Sequence, residues 1–169
     1  MRKMTLVFAL VTVASAVFAQ QPSPAPAPTA AAMKLFAASN DVAALVAKAK
    51  TDRKPDQPML AQRVVGLAPY TVNLEYRPGV GPASVHEREA ELFYVVDGTA
   101  TAVTGGKLVN ERRTNADNLT GTAIEGGNSQ RVAKGDILLV PAGVPHQFTN
   151  VNEYFQLSLH LPMSTPAGR

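Results

Sequence analysis

The feature that most constrains the fold is the stretch at residues 135–150, which runs GDILLVPAGVPHQFTN. Four apolar residues, at positions 137–140, follow its opening Gly-Asp pair and are typical of a short strand. Pro141, Gly143 and Pro145 then form a rigid turn, because proline fixes φ and glycine permits left-handed backbone. The residue that this turn delivers is His146. The pattern predicts strand, turn and strand, with an imidazole held at the mouth of a β-barrel.

From residue 59 onward the sequence has the period-two pattern of β-strands. In residues 70–77 apolar and polar residues alternate, which predicts a half-buried strand. The pair Asp97 and Gly98 predicts a hairpin turn. The other predicted strands are residues 92–96, 99–104, 107–109, 130–133, 137–140 and 154–161. Because no helices alternate with these strands, the pattern predicts an all-β antiparallel barrel or double-sheet sandwich.

Residues 110–128 are a polar segment between predicted strands. The segment predicts a long loop with one brief strand at residues 122–125, and loops of this length often act as lids or binding loops. Arg112 and Arg113 lie in it and either face solvent or pair with an acidic group.

The amino-terminal end predicts an exported protein. Residues 1–19 begin with Arg2 and Lys3 and continue with an apolar segment shorter than the roughly 20 residues of a membrane span. They end in small residues, which predicts a cleaved signal peptide and no stable membrane span after cleavage. Residues 20–32 are rich in proline and alanine and predict a disordered tether. We expect localisation in a bacterial periplasm or outside the cell.

An amphipathic helix is predicted over residues 33–50, with Ser39 or Asn40 as its cap. Its apolar face comprises Val42, Leu45, Val46 and Ala49. The predicted domain organisation is helix and connector at residues 33–58, barrel at residues 59–163 and tail at residues 164–169.

Composition excludes several kinds of chemistry. The chain of 169 residues has no cysteine, which excludes disulfides, thiolate metal sites and a cysteine nucleophile. Its formal net charge is only +3 and it has no Lys/Arg cluster, so we expect no nucleic-acid partner. The chain also lacks the G-x-S-x-G, P-loop, Rossmann and H-E-x-x-H motifs.

The 135–150 stretch resembles the second motif of the cupins, G-x5-P-x-G-x2-H-x3-N. The matching residues are Gly135, Pro141, Gly143, His146 and Asn150. The resemblance covers roughly residues 67–161 and implies a double-stranded β-helix, or jelly-roll barrel. It also implies that His146 is a metal ligand.

The first cupin motif, G-x5-H-x-H-x3,4-E-x6-G, is degenerate at residues 79–98. Glu91 and Gly98 match its end, but His86 is the single histidine where the family has two. With four residues between the second histidine position and the glutamate, His86 takes that position and Ser84 takes the first. With three residues, Val85 and Glu87 occupy the two positions instead.

The register with His86 is preferred because it uses the available imidazole. The metal ligands that it implies are His86, Glu91 and His146. Ser84 would then hold a water molecule, and Glu87 is the alternative carboxylate ligand in the other register. Two imidazoles and one carboxylate suit one divalent transition metal, Fe, Mn, Ni, Cu or Zn, and three ligands leave positions open for a substrate.

The third histidine, His160, is predicted on the last strand in phase with Tyr154, Gln156 and Ser158. If this polar face lines the barrel, His160 could be a general acid or base. Otherwise it faces solvent or a subunit interface.

The resemblance implies an exported small cupin that binds a divalent metal and acts on a small organic molecule. Oxygenase, isomerase and lyase chemistry all occur on this fold, and the fold does not select among them. A second hypothesis is a metal-poor cupin that serves as a non-enzymatic small-molecule-binding or interaction module. A third is a structural protein of the cell envelope. The family and the one-faced helix also imply a homodimer.

Overall fold

A computed structural model describes residues 34–163. The predicted signal peptide, the tether and the tail at residues 164–169 lie outside the described residues. The described elements are one helix, α1 (Ser39–Asp52), and the strands β1 (Leu60–Leu67), β2 (Tyr70–Arg77), β3 (Ala83–His86), β4 (Glu89–Thr104), β5 (Lys107–Val109), β6 (Arg112–Arg113), β7 (Asn118–Gly121), β8 (Ala123–Glu125), β9 (Asn128–Ala133), β10 (Ile137–Val140) and β11 (His146–Pro162). No helix among the described residues is long and apolar enough to cross a membrane.

The two longest strands, β4 and β11, organise the sheet. They pair antiparallel along most of their length, and each carries further antiparallel neighbours: β9 and β10 on β4, β2 and β3 on β11. β5 and β8 form a separate two-stranded sheet. The prediction of an all-β antiparallel fold with one helix is confirmed.

The predicted hairpin at Asp97 and Gly98 is wrong, because β4 continues through both residues. Gly98 has a φ of 78°, and the pairing register with β11 shifts around this point. A β-carbon on Gly98 would collide with the backbone carbonyl oxygen of Glu153. The glycine therefore forms a β-bulge that bends the strand instead of reversing it.

The prediction of a long loop at residues 110–128 is also wrong, although its one brief strand, predicted at residues 122–125, is confirmed as β8. These residues contain three short strands, of which β7 pairs with β3 over the full length of both. Polar strands of this kind are held by backbone hydrogen bonds and show no hydrophobic alternation, so their sequence does not reveal them.

Two apolar clusters stabilise the fold. The larger lies inside the barrel and comprises Phe93, Val95, Ala100, Ala102, Val132, Val140, Phe148 and Tyr154. The smaller lies under α1, where Ala49 packs with Tyr76 and Phe155. The cap of this helix is Ala38, not Ser39 or Asn40, and the Asp41 carboxylate accepts a hydrogen bond from the Ala38 N–H at 3.1 Å.

Candidate metal centre

The ends of three strands bring His86, Glu91 and His146 together. His86 is the last residue of β3, and a two-residue turn separates it from β4, on which Glu91 lies. His146 is the first residue of β11, directly after the Pro141–Pro145 turn, in which Gly143 has a φ of 75°. The sequence pattern at residues 135–150 therefore encodes the local backbone that places His146.

The three side chains meet at one carboxylate oxygen. Glu91 Oε2 lies 3.3 Å from Nε2 of His86 and 3.3 Å from Nε2 of His146. Glu91 is 3% exposed, and its Oε2 is buried without a hydrogen-bond partner among the described residues. An ion held at about 2.0–2.2 Å keeps adjacent nitrogen and oxygen ligands about 3 Å apart. A buried oxygen without a hydrogen bond, at this distance from two imidazole nitrogens, fits a divalent transition metal.

His86 is oriented by Asn118 on β7. The Asn118 Oδ1 is 2.7 Å from His86 Nδ1, so it accepts the Nδ1–H and leaves the Nε2 lone pair facing Glu91. The sequence analysis missed Asn118 because it placed this residue in a loop without periodicity. The His146 ring differs, because its buried Nδ1 bonds to no described residue.

The Glu91 carboxyl group is held in its charged form. Burial alone would raise its pKa, but the contacts with His146 and His86 and the hydrogen bond from Ser158 lower the pKa far below its usual value. The Ser158 hydroxyl donates to Glu91 Oε1 at 2.5 Å. In turn, the contact with Glu91 raises the pKa of His86. The site thus presents a buried negative charge to a cation.

His160 also reaches this carboxylate. Tyr154, Gln156 and Ser158 are buried, so the polar face of β11 lines the barrel and His160 points the same way. Its Nε2 lies 3.3 Å from Glu91 Oε1 and its Nδ1 lies 2.9 Å from Glu89 Oε2. All three histidines of the chain therefore surround Glu91.

A second polar cluster was missed because residues 70–77 were predicted to be only half-buried. Glu75 on β2 is 5% exposed, and its carboxylate accepts hydrogen bonds from Arg77 at 2.9 Å and Gln156 at 2.7 Å. The polar face of β2 thus faces the barrel interior rather than solvent. Glu75 also lies close enough to Glu91 and His160 for the three to be a candidate metal-binding group.

The two alternative ligands, Glu87 and Ser84, belong to neither candidate metal-binding group of the described residues. Both carboxylate oxygens of Glu87 bond the guanidinium of Arg113, at 2.7 and 3.0 Å, which lowers the pKa of Glu87. Neither candidate metal-binding group among the described residues contains Glu87. Ser84 lies two residues before His86 on β3, hence on the same face, and its backbone pairs with His146.

A cavity of about 540 Å³ adjoins two residues that bond histidines near Glu91. Its lining includes Arg88, Glu89, Asn118 and Met163, and Glu89 and Asn118 are the residues that bond His160 and His86. Beneath the histidines, the Phe93 ring centroid is 5.7 Å from that of His146. Phe93 therefore gives the centre an apolar floor, and the side chains of His86 and His160, each 21% exposed, form its accessible side.

Comparison with known proteins gives a family and a set of similar structures. The family model described as Cupin matches residues 36–160. KdgF from Halomonas sp. has 16% identity and a TM-score of 0.48, and the match covers 66% of this chain and 87% of that one. An uncharacterised Klebsiella pneumoniae protein with a double-stranded β-helix domain has 18% identity and a TM-score of 0.49, and the match covers 73% of this chain and 90% of that one. Streptomyces Pac13, described as a nucleoside dehydratase, has 11% identity and a TM-score of 0.47, and the match covers 68% of this chain and 78% of that one. No curated protein matches in sequence.

Proposed function

The chain belongs to the cupin family, and from this premise we propose that it binds one divalent transition-metal ion through His86, Glu91 and His146 and acts on a small organic molecule. The observation that carries the proposal is the buried Glu91 Oε2, which accepts no hydrogen bond from residues 34–163 and lies 3.3 Å from two imidazole nitrogens.

The protein residues have distinct tasks in this proposal. Glu91 supplies the negative charge, and Asn118 fixes the tautomer of His86. Phe93 excludes water from below, while the cavity beside Glu89 and Asn118 admits the small molecule. A bound ion would polarise a substrate oxygen as a Lewis acid, or supply oxygen chemistry if it is iron or copper.

Metal analysis of the full chain, purified without chelator or His tag, tests this proposal. We expect about one ion of Fe, Mn, Ni, Cu or Zn per chain, lost in His86→Ala and in His146→Ala. Ser84→Ala is the matched control, since Ser84 shares the face of His86 but is not a proposed ligand. If the wild-type chain retains none of these metals after reconstitution, the alternative of a metal-poor small-molecule-binding or interaction module replaces the proposal.

Export is the second part of the proposed function, and it rests on residues 1–19 alone. We expect the protein in the periplasm or outside the cell, with a mature chain that starts at Gln20. Mass spectrometry of the protein isolated from cell fractions tests this. A full-length chain in the cytoplasm would contradict it.

We also propose a homodimer, and the basis is an exposed apolar patch rather than the apolar face of the helix. Val46 and Ala49 of α1 already pack against the sheet, but Tyr94, Ile137 and Leu139 on the adjacent strands β4 and β10 are 44%, 68% and 56% exposed. Burial of such a patch stabilises association. Light scattering should show a dimer that Leu139→Glu dissociates, and a monomeric wild-type chain would contradict this expectation.

A further inference from the structure

We infer that Ser158 is a positioning residue: its hydroxyl group holds one oxygen of the Glu91 carboxylate, so that the other oxygen alone is free for the metal ion. This inference rests on the proposed function and deepens it, because it assigns different tasks to the two oxygens of the central ligand. Glu91 would then bind the ion through Oε2 only and would occupy one coordination position instead of two. Ser158 lies outside both sequence stretches that resemble the family motifs.

The two oxygens of Glu91 have different contacts. The Ser158 hydroxyl donates to Oε1 at 2.5 Å, and a length of about 2.5–2.7 Å is typical of a strong hydrogen bond from a hydroxyl to a charged carboxylate. Oε2 accepts no hydrogen bond from residues 34–163, and it is the oxygen that lies 3.3 Å from Nε2 of both His86 and His146. The oxygen that Ser158 leaves free is therefore the one that faces the two imidazoles.

A glutamate ligand needs such a constraint because its two oxygens are chemically equivalent. The terminal torsion of a glutamate side chain is broad, so the carboxylate turns easily about its last bond. Without a bond at Oε1, this rotation would exchange the two oxygens or bring both of them to the ion. A hydrogen bond from a strand residue removes the equivalence and fixes which oxygen faces His86 and His146.

Ser158 is itself held firmly in the sheet. It is fully buried on β11, and its backbone pairs with Phe93 on β4 and with Asn73 on β2. Glu91 lies two residues before Phe93, hence on the same face of β4, which makes Ser158 and Glu91 diagonal neighbours across the two strands. The short serine side chain leaves room for the longer glutamate to reach across. The contact therefore follows from strand register.

The Glu75 carboxylate shows what a different set of donors does. Its Oε2 accepts hydrogen bonds from Arg77 at 2.9 Å and from Gln156 at 2.7 Å, and the guanidinium supplies a counter-charge. The donor to Glu91 is a neutral hydroxyl, which orients the carboxylate without neutralising it. Ser158 therefore positions Glu91 and leaves its negative charge available to the ion.

Infrared difference spectroscopy on the full chain, Zn(II)-loaded minus metal-free, tests this inference. A carboxylate that binds an ion through one oxygen has a wider separation between its asymmetric and symmetric stretches than one that binds through both. The bands of Glu91 are identified by their loss in Glu91→Gln. We expect the wide separation in the wild-type chain and a narrower one in Ser158→Ala. Zn(II) affinity in Ser158→Ala, measured by chelator competition, should fall by about 10–100-fold.

Three further variants separate hydrogen bonding from packing. Ser158→Thr keeps the hydroxyl and should keep the wide separation. Ser158→Cys keeps a small side chain but has a thiol, which is a weak donor, and should behave as Ser158→Ala does. Thr149→Val is the matched control, because Thr149 lies on the same strand and its hydroxyl bonds the backbone oxygen of Thr101 at 3.4 Å. It should leave the Glu91 bands and the affinity unchanged.

The outcomes distinguish this inference from the proposed function. If Zn(II) does not change the Glu91 bands of the wild-type chain, the proposed metal site itself is overturned. A narrow separation in the wild-type chain, or the same separation in Ser158→Ala, overturns only the role of Ser158. Equal losses of affinity in Ser158→Thr and Ser158→Cys also overturn it, since the serine would then act through packing.

His160 is the other side chain next to Oε1, with its Nε2 at 3.3 Å. His160→Ala should keep the wide separation, because Ser158 still holds Oε1. A separation that narrows in His160→Ala and stays wide in Ser158→Ala would assign the positioning of Glu91 to His160 and overturn the inference.

Discussion

Two stretches of the chain, residues 79–98 and 135–150, each bring a histidine to Glu91, but they orient it by different means. In the second stretch the turn before His146 contains two prolines and a glycine, and His146 Nδ1 bonds to no described residue. In the first stretch His86 Nδ1 bonds Asn118, which is 32 residues away in sequence. Backbone geometry therefore orients His146, whereas a distant side chain orients His86.

This difference has a physical consequence. A turn built from proline and glycine is specified by the residues within it, so it keeps its geometry when a neighbour is changed. A ring held by one hydrogen bond depends on its partner and on the strand that carries the partner. We expect variants near residues 79–98 to affect the metal centre through distant contacts, and variants near residues 135–150 to affect it through the backbone.

The largest effect is expected for Glu91, the residue that both histidines contact. Glu91→Gln removes the charge that the ion neutralises, so Zn(II) affinity should fall by at least about 100-fold. This is more than the loss expected when a residue that only hydrogen-bonds a metal ligand is removed. Chelator competition measures this. Glu87→Gln is the matched control, because Glu87 pairs with Arg113 at the surface. If Zn(II) affinity falls in Glu87→Gln but not in Glu91→Gln, the result would support the other register of the first motif.

The glycines of the two stretches should differ in their effect on stability. Gly98→Ala places a β-carbon against the backbone of Glu153 and should lower the free energy of unfolding by more than about 3 kcal/mol. Gly143→Ala has a similar φ, 75° against 78°, but nothing within 4 Å, so only the left-handed strain of about 1–2 kcal/mol applies. Urea denaturation of the metal-free protein measures both. Equal losses would contradict the role of Gly98 as the point of close strand contact.

Asn118→Ala tests whether the orientation of His86, unlike that of His146, depends on a side chain distant in sequence. Without the Nδ1 hydrogen bond the ring of His86 loses its fixed orientation, so Zn(II) affinity should fall by about 10–100-fold. Asn115→Ala is the control, because Asn115 is exposed and its Oδ1 bonds the backbone N–H of Asp117. An Asn118→Ala protein with wild-type affinity would show that the strand pairing of β3 is sufficient to orient His86.

The smallest effect is expected at the Arg113–Glu87 pair. It is bidentate but lies at the surface, where solvent and salt weaken ion pairs. Arg113→Ala should therefore change Zn(II) affinity by no more than about threefold. A larger loss in chelator competition would mean that this pair holds β7, and with it Asn118, in place.

The same contrast explains which parts of the fold the sequence predicts. His146 and its turn were identified because their geometry is encoded locally. Asn118 and the strand β7 were missed because strand pairing over long sequence separation, without apolar alternation, places them. Glu75 was missed because the polar face of its predicted strand was taken to face solvent, whereas it is buried. The Gly98 bulge was taken for a hairpin, since Asp-Gly is also the commonest hairpin signal. His160 was placed on the correct strand face, but its register opposite Glu91 required the structure.

Anomalous diffraction from crystals of the full chain loaded with Zn(II) tests the central claim most directly. We predict one strong peak per chain, about 2.0–2.2 Å from Nε2 of His86 and His146 and from a carboxylate oxygen of Glu91. A crystal in which the peak lies at surface residues only, or in which no peak adjoins Glu91, would contradict the assignment of this site as a metal centre.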